Sequence, residues 1–461
     1  MAIPVIAIFD VGKTNKKVFL FDERYNIVLE RTSCFEETAD EDGDPCDDLR
    51  MLTSWVHDTV EELEKLSKFD IRAINFSSYG ASFVHLDENG KPLTPLYNYL
   101  KPYPEHLKRQ FYDLYGGEVK IATETASPVL GNLNSGMQLY RLKYEKPEVF
   151  DKVSYSLHLP QYLSYLLTGA PYADITSIGC HTGLWDFRKN DYHEWVSKEG
   201  IMQKLPPVFP SDSALEVNVA GKQRFVGVGL HDSSAAFIPF ISSFHEPFVL
   251  LSTGTWCISL NAFNSSPLTV EELNNDCLSY ISYKRVPVKA SRLFAGSEHE
   301  QQTKRIASHF DVSPTFYQKL KFNPSLAGKL RGGSEGTGVL KNNSNLIASA
   351  FASRDLSLFV SAEEAYYQLI LDLLKLQTKA TSLVLEGASV NRIFVDGGFS
   401  KNSIYMNLLA SAFPEMEVYA ASVAQATSIG AALAIHKYWN KQPIPANIID
   451  LKFYSASEIA I

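Results

Sequence analysis

The chain opens on an apolar run, residues 6–9, that ends in the acid Asp10. A polar turn through Gly12, Lys13, Thr14 and Asn15 follows, and residues 18–21 are apolar again. Two short apolar runs around a tight polar turn predict a β-hairpin. Residues 27–32 read as a third strand, making an antiparallel meander. Leu52, Trp55, Val56, Val60, Leu63 and Leu66 then recur at helical spacing across 48–66, and 71–76 is strand-like. Three strands, a helix and a strand are the opening of a ribonuclease-H-like fold.

Further on, residues 83–86 resume as a strand before the turn Asp87-Glu88-Asn89-Gly90. From 104 to 167 the pattern is mostly helical, most clearly at 134–144 and 159–167. The stretch 169–186 is polar and irregular, and a further strand ends at His231-Asp232. The second half then begins as the first did. Residues 248–251 are apolar, Ser252-Thr253-Gly254-Thr255 is a polar turn, and 256–260 is a second strand, with 277–284 as the third. Helices are predicted over 300–310 and 363–385, a strand over 393–395, and a turn at Gly397-Gly398. Ser400 reads as the N-cap of a helix through Phe413, followed by a strand at 418–421 and a helix over 427–439. Matching hairpins suggest a duplicated fold of two domains, 1–240 and 241–461.

Size and charge narrow the field. A chain of 461 residues exceeds one compact core, which supports two domains. A net charge of −9 argues against a general nucleic-acid binder. Five cysteines without a CxxC pair fit free thiols in a reducing compartment. No run approaches the length of a membrane span, so a cytoplasmic protein with no membrane partner is expected. Residues 36–48, with eight acids in thirteen positions, read as a solvated loop, since they lack calcium-loop spacing. Residues 331–338, with four glycines, read as a surface loop, or alternatively as a loop that covers a ligand.

Candidate chemistry lies at the strand ends. In the first turn Gly12 allows close backbone approach. Thr14, Asn15 and the turn's N–H groups can donate to phosphate oxygens, and Lys13, Lys16 or Lys17 can neutralise charge. Asp10 could hold the water shell of Mg²⁺. The plain alternative is a hairpin whose turn happens to be polar. A Walker loop is excluded, because its first glycine would fall on Ala7 and the turn leads into a strand. Gly254 and Thr255 lie in a second turn of the same make-up. Asp396-Gly397-Gly398-Phe399-Ser400-Lys401-Asn402 leaves a strand through two glycines into a helix start, where a flat ring could lie on the backbone. Asp232, just past a strand end and beside His231, is placed to take a proton from an attacking hydroxyl. A helix-capping aspartate is the competing role, and both can hold. His299-Glu300 lacks the second histidine of a zinc helix, and no GxSxG elbow occurs.

These stretches, in this order, resemble the FGGY carbohydrate kinases, a branch of the actin/hexokinase/Hsp70 superfamily. The likeness covers nearly the whole chain. It implies an α/β fold of two ribonuclease-H-like domains with a cleft between them, Mg-ATP mainly on the C-terminal half and sugar on the N-terminal half. Asp10, Gly12, Thr14, Asn15 and Lys17 match the family's first phosphate motif and Gly254 and Thr255 its second. Gly397, Gly398 and Asn402 fall in its adenosine motif. Asp232 falls on the catalytic base, and His231 on a sugar-touching histidine of the rhamnulose-kinase branch. Tyr79 precedes Gly80 as an aromatic does in rhamnulose and fuculose kinases, and Asp174 lies in a segment similar to the family's substrate-proximal Thr-Asp-x-Ser/Thr. Ala81-Ser82 stands where those branches carry Val-Asp, and 323–340 does not follow the pentulose-kinase pattern. The resemblance therefore implies an ATP- and Mg²⁺-dependent kinase for a small ketose such as L-rhamnulose or L-fuculose. Alternatives are a pentulose kinase or a non-catalytic ATP-binding clamp of the same superfamily. The partner implied is a small-molecule sugar, with a homodimer allowed.

Overall fold

Val5–Phe9 is buried on both faces of its strand, as helices covering both sides of a sheet require. In the computed structural model, which describes residues 2–332, 340–341 and 347–455, this strand, Ile3–Val11 (β1), lies inside a mixed sheet. Lys16–Asp22 (β2) and Ile27–Ser33 (β3) follow it as an antiparallel meander. Leu49–Glu64 (α1) is capped by Asp48, whose side chain accepts from the N–H groups of Arg50 and Met51. It leads into Phe69–Ser78 (β4), parallel to β1. A helical insert containing Glu105–Tyr115 (α2) and Ser135–Glu145 (α3) has its own core around Phe111, Tyr140 and Trp195. Leu159–Thr168 (α4) then packs beside β4. Ala214–Val219 (β5) and Lys222–Gly227 (β6) complete the order β5-β6-β4-β1-β2-β3. Leu230–His231 (β7) extends this edge, placing His231 beside Ser78. Asp232 opens the next helix, Asp232–Ser243 (α5).

The second sheet repeats the plan. Phe248–Thr253 (β8) forms a hairpin with Cys257–Asn261 (β9). Cys277–Ile281 (β10) and Pro287–Leu293 (β11) follow, then the helices Ala295–Phe310 (α6) and Ala362–Leu385 (α7). Arg392–Gly397 (β12) runs parallel to β8, as β4 does to β1. Ser403–Ala412 (α8), Glu417–Ser422 (β13), Ala426–Ala434 (α9) and Asp450–Tyr454 (β14) end the fold, in the strand order β10-β11-β9-β8-β12-β13-β14. All strands of the first large sheet precede Asp232 and all of the second follow Ser243. Residue 240, the proposed domain division, lies inside the connecting helix α5.

A shared core joins the lobes. Ile6, Ile8, Phe19 and Phe21 of the first sheet meet Phe237 and Phe240 of α5 and Ile429 and Leu433 of α9. The two helices approach so closely that a Cβ on Gly430 would lie 1.8 Å from the Ala235 carbonyl oxygen. The lobes are also tied by a bridge between Cys180 and Tyr280 and by the Ile281 N–H donating to the Gly179 carbonyl at 3.1 Å.

Several expectations need correction. The strand beside β9 is β11, and β10, expected as third strand, lies outside it. Lys289 and Arg292 obscured the apolar pattern of β11, yet Lys289 is buried against Glu272 at 2.6 Å and Arg292 is held by Asp276 at 2.6 Å. Strand 83–86 leaves the main sheet to pair with Tyr155–His158. Asn402, not Ser400, caps α8, because a short turn Phe399–Lys401 intervenes. The last predicted helix breaks after Ala434, and a separate turn His436–Trp439 follows. The acid-rich stretch is not wholly solvated. Asp40 is buried against Lys101, and Asp47 is buried among Lys13, Lys16 and Tyr79. Of the glycine-rich stretch, residues 331 and 332 end the helix Pro324–Gly332, and residues 333–338 lie outside the described residues.

Candidate active site

Most of the candidate side chains sit where strands end and turns begin. At the end of β1, Asp10 pairs in register with Lys17 of β2 and Ser77 of β4. The turn closes through the Gly12 N–H donating to the Asn15 carbonyl at 3.0 Å, and Thr14 and Asn15 are exposed. Neighbouring strand residues face opposite ways, so the three lysines divide. Lys13 and Lys16 reach Asp47, at 2.9 and 2.7 Å. Lys17, on the Asp10 side, makes a 3.3 Å ion pair with exposed Glu30 and lies over the Phe19 ring.

A cavity of about 380 Å³ opens between the lobes. The first lobe contributes Cys180, His181, His231 and Asp232. The second contributes Ser252, Trp256, Arg292, Asp396 and Thr427 together with apolar residues of its sheet. Asp232 lies in the first turn of α5, with His231 as N-cap. Its Oδ1 accepts from the Ser233 N–H at 2.6 Å and stands 3.3 Å from His231 Nε2. The accessible 36% of its side chain is on the cavity wall. Enclosure there pushes its pKa up to about 6, against the Ser233 hydrogen bonds. Burial holds His231 neutral, with a pKa down to about 4. The His231 backbone N–H donates to Thr176 Oγ1 at 3.0 Å. Its ring lies so close to Gly80 that a Cβ there would be 2.4 Å from Cδ2.

Asp10 connects to this wall through α9. Its Oδ2 accepts from Ser428 Oγ at 2.9 Å, and Thr427, the neighbour of Ser428, lines the cavity. Burial pushes the Asp10 pKa up to about 6, opposed by the Ser428 bond and reinforced by the negative charge of Asp232.

Across the cleft, the turn after β8 is locked to the double glycine. Thr253 pairs with Gly397, Thr253 Oγ1 donates to the Asp396 carbonyl, and the Gly398 N–H donates to the Thr253 carbonyl at 2.8 Å. Gly397 has φ +91°, and a Cβ there would lie 2.0 Å from the Thr253 carbonyl oxygen, so only glycine fits. Gly254 closes its own turn on Trp256, and the Thr255 carbonyl accepts from Ser297. Gly254 and Thr255 therefore adjoin the double-glycine corner, with Asp396 on the cavity and its carboxyl pKa raised by burial.

Of the sequence candidates, His231 and Asp232 are in the cavity lining; Asp10, the hairpin-turn residues and the double glycine are not, and neither are Tyr79, Asp174 and Asn402. Tyr79 is buried, and its hydroxyl donates to Asp47 at 2.7 Å. Asp174 is fully buried and caps a short helix. Its Oδ1 accepts from the Thr176 N–H and hydroxyl, and its Oδ2 from Ser211. It bears on the site indirectly, because the same Thr176 hydroxyl accepts from the His231 N–H. Asn402 is committed to capping α8 and donates to the Tyr366 hydroxyl at 2.6 Å.

Comparison with known proteins decides the family. The model of the N-terminal domain of the FGGY family of carbohydrate kinases matches residues 5–238, and that of the C-terminal domain matches 323–436. The chain belongs to the FGGY family of carbohydrate kinases. This FGGY chain is 23% identical over 278 residues to a rhamnulokinase of Halalkalibacterium halodurans, covering 57% of this chain and 56% of that one. It is 26% identical over 294 residues to a rhamnulokinase of Mannheimia succiniciproducens, covering 59% and 56%. The match thus spans little more than half the length of these relatives. Its fold is similar to a carbohydrate kinase from Novosphingobium aromaticivorans (TM-score 0.81, 23% identity, 99% of this chain and 95% of that one). A xylulose kinase from Rhodospirillum rubrum is similar too (TM-score 0.80, 15% identity, 99% and 96%).

Several residues at or beside this cavity were not singled out from sequence. Cys180 and His181 sit in the irregular stretch after α4, and Trp256 stacks under the Arg292 guanidinium at 5.3 Å. Ser428 lies in a helix of small residues that carries no chemical signature. Only the fold brings them to the cavity.

Proposed function

We propose that this chain transfers the γ-phosphate of ATP to a hydroxyl of a small ketose, with L-rhamnulose and L-fuculose the first candidates. The observation that carries the reading is that Asp232 shares one cavity with Ser252 and Asp396. A base candidate in one lobe thereby faces both candidate nucleotide turns in the other. The cradle suits a nucleotide. Gly397 and Gly398 keep side chains off the corner, and Ser428 engages one oxygen of Asp10. Mg-ATP would supply the phosphoryl group and the charge that neutralises its oxygens. Gly12, Thr14, Asn15 and Lys17 would hold it from one side, Gly254 and Thr255 from the other, and Asp10 would hold the metal's water shell.

The chain's own part is positioning and one proton. Asp232, with a pKa near 6, is ionised at neutral pH and basic enough to accept a hydroxyl proton at a free carboxylate oxygen. Neutral His231 offers a ring nitrogen to a sugar hydroxyl and keeps the carboxylate on the cavity side. Closure of the lobes about α5 and α9 would exclude water, which otherwise competes as acceptor. The naming of relatives as rhamnulokinases and the His231-Asp232 pair support a 6-deoxyketohexose. A pentulose is the second reading. At the position where rhamnulose and fuculose kinases carry a carboxylate, this chain has Ser82, which is buried and donates to the Tyr97 carbonyl at 2.8 Å. The five free thiols support a reducing, cytoplasmic setting.

ADP release measured across ketoses, aldoses and polyols tests this function. Turnover should require a ketose and be highest with 6-deoxyketohexoses. ATP hydrolysis indifferent to every sugar would sink the reading and favour a nucleotide-driven clamp.

A further inference from the structure

The cavity also holds a cluster of metal-ligating side chains, of which only His231 has a part in the proposed transfer. Cys180, His181 and His231 each offer a ligand atom, and these atoms all lie within 4.8 Å of one another. Cys180 Sγ is 3.9 Å from His231 Nε2, and the same nitrogen is 3.3 Å from Asp232 Oδ1. A tetrahedral zinc ion with bonds of about 2.0–2.3 Å has ligand-to-ligand edges of about 3.3–3.8 Å. The distances around His231 Nε2 are therefore close to those a bound ion would impose. The backbone also brings the ligands together: His181 is held at φ +40°, and its carbonyl accepts from Asn134 Nδ2 at 2.7 Å. His181 Nδ1 is buried and makes no hydrogen bond. Arg292, on the same lining, is paired with Asp276 and stacked on the Trp256 ring, and its charge still reaches Cys180 and His181.

We propose that Cys180, His181 and His231 form a binding site for a zinc-class divalent cation, with the fourth position open to the cavity and within reach of Asp232. A thiol and two imidazoles suit Zn²⁺ or Co²⁺ and not Mg²⁺, which prefers oxygen. The site is thus chemically distinct from the one at Asp10. Binding converts the Cys180 thiol to thiolate and releases its proton to solvent. Burial keeps that thiol protonated otherwise, with its pKa pushed up. An ion held here takes His231 and draws the Asp232 carboxylate onto the metal, so zinc inhibits the kinase. This consequence, unlike the site itself, rests on Asp232 being the base.

Cobalt titration of the full chain under reducing conditions, without nucleotide or Mg²⁺, reads the site directly. One equivalent should bind with a thiolate-to-cobalt charge-transfer absorption, and Zn²⁺ should displace it mole for mole. Cys180→Ser should abolish the charge-transfer band, whereas Cys34→Ser, at an exposed thiol, should keep it. His181→Asn should weaken binding at least tenfold, and it replaces the cysteine variant if that one fails to fold. Absence of the band, its survival in Cys180→Ser, or unchanged affinity in His181→Asn would overturn the proposal. Inhibition is scored separately, as the ratio of sugar-phosphate formation with and without zinc. A ratio near one with the ion bound would refute the regulatory consequence. A chain that forms no sugar phosphate even without zinc would instead count against the kinase reading.

Discussion

The Asp10 carboxylate accepts a 2.9 Å hydrogen bond from the hydroxyl of Ser428, 418 residues further along the chain. That contact ties the end of the first strand to the last inter-lobe helix. It fixes one oxygen of a carboxylate that feels the negative charge of Asp232. Burial lifts the pKa of each acid to about 6. Two acids close together in a cleft of low polarity call for a cation or a transferable proton between them.

With Asp232 as the proposed base, acid should slow the proposed transfer. The rate should fall as pH drops through about 6, because Asp232 must be ionised to accept a proton. Stability should move the other way. In the folded chain Asp232 keeps its proton up to about 6, while the unfolded chain releases it near the ordinary carboxylate value. Its ionisation therefore weakens the fold as pH rises through that window. Asp232→Asn should raise the thermal midpoint at neutral pH and leave it nearly unchanged at about pH 4. A lowered midpoint at neutral pH would contradict the burial argument.

Gly80→Ala should impair turnover more than folding. The added methyl would sit 2.4 Å from His231 Cδ2 and push the ring towards Asp232 and the cavity. Displacement of this size should cost about 10–10²-fold in kcat/KM. Circular dichroism and kinetics on the same sample separate the two effects, and wild-type kinetics would show that His231 is not held from this side.

At the proposed nucleotide corner, Gly397→Ala should destabilise the chain by about 1–3 kcal/mol through its positive φ alone. The clash with the Thr253 carbonyl adds to this and should weaken ATP binding. Denaturant midpoints and nucleotide titration check the two parts.

Asp47→Ala should be among the most destabilising single changes, about 3–5 kcal/mol, because it leaves the buried Lys16 ammonium without its partner. Burial alone would raise the Asp47 pKa, but hydrogen bonds from Lys16, Tyr79 and Lys13 hold it below the usual carboxylate range. A loss under about 1 kcal/mol, the range of surface ion pairs, would show that Lys16 escapes to solvent.

Much of the architecture was legible because both halves obey simple periods. The strand around Phe9 and the one around Leu250 are continuous apolar runs, each followed by a polar turn, and α1 shows an unbroken helical stripe. The pattern failed where charge is buried in pairs. Lys289 with Glu272 disguised a strand, and Asp40 and Asp47 disguised packed structure as a solvated loop. The positions of Asp10, Asp232 and the double glycine could be read because strand ends and turns carry local signatures. Tyr79 and Asp174 were readable as positions but not as roles, since what each hydroxyl or carboxylate touches is set by Asp47, Thr176 and Ser211. Ser428 and Arg292 gave no signal, because their positions at the cleft come from the pairing of distant elements.

The most direct test of phosphoryl transfer across this cleft is sugar-phosphate formation from ATP, followed by phosphorus NMR for the unaltered chain and for Asp232→Asn beside a nucleotide-binding titration. The unaltered chain should phosphorylate a ketose, and the variant should bind ATP normally while transfer falls by about 10²–10⁴-fold. Near-normal transfer in the variant, or no transfer to any sugar by the unaltered chain, would contradict the account.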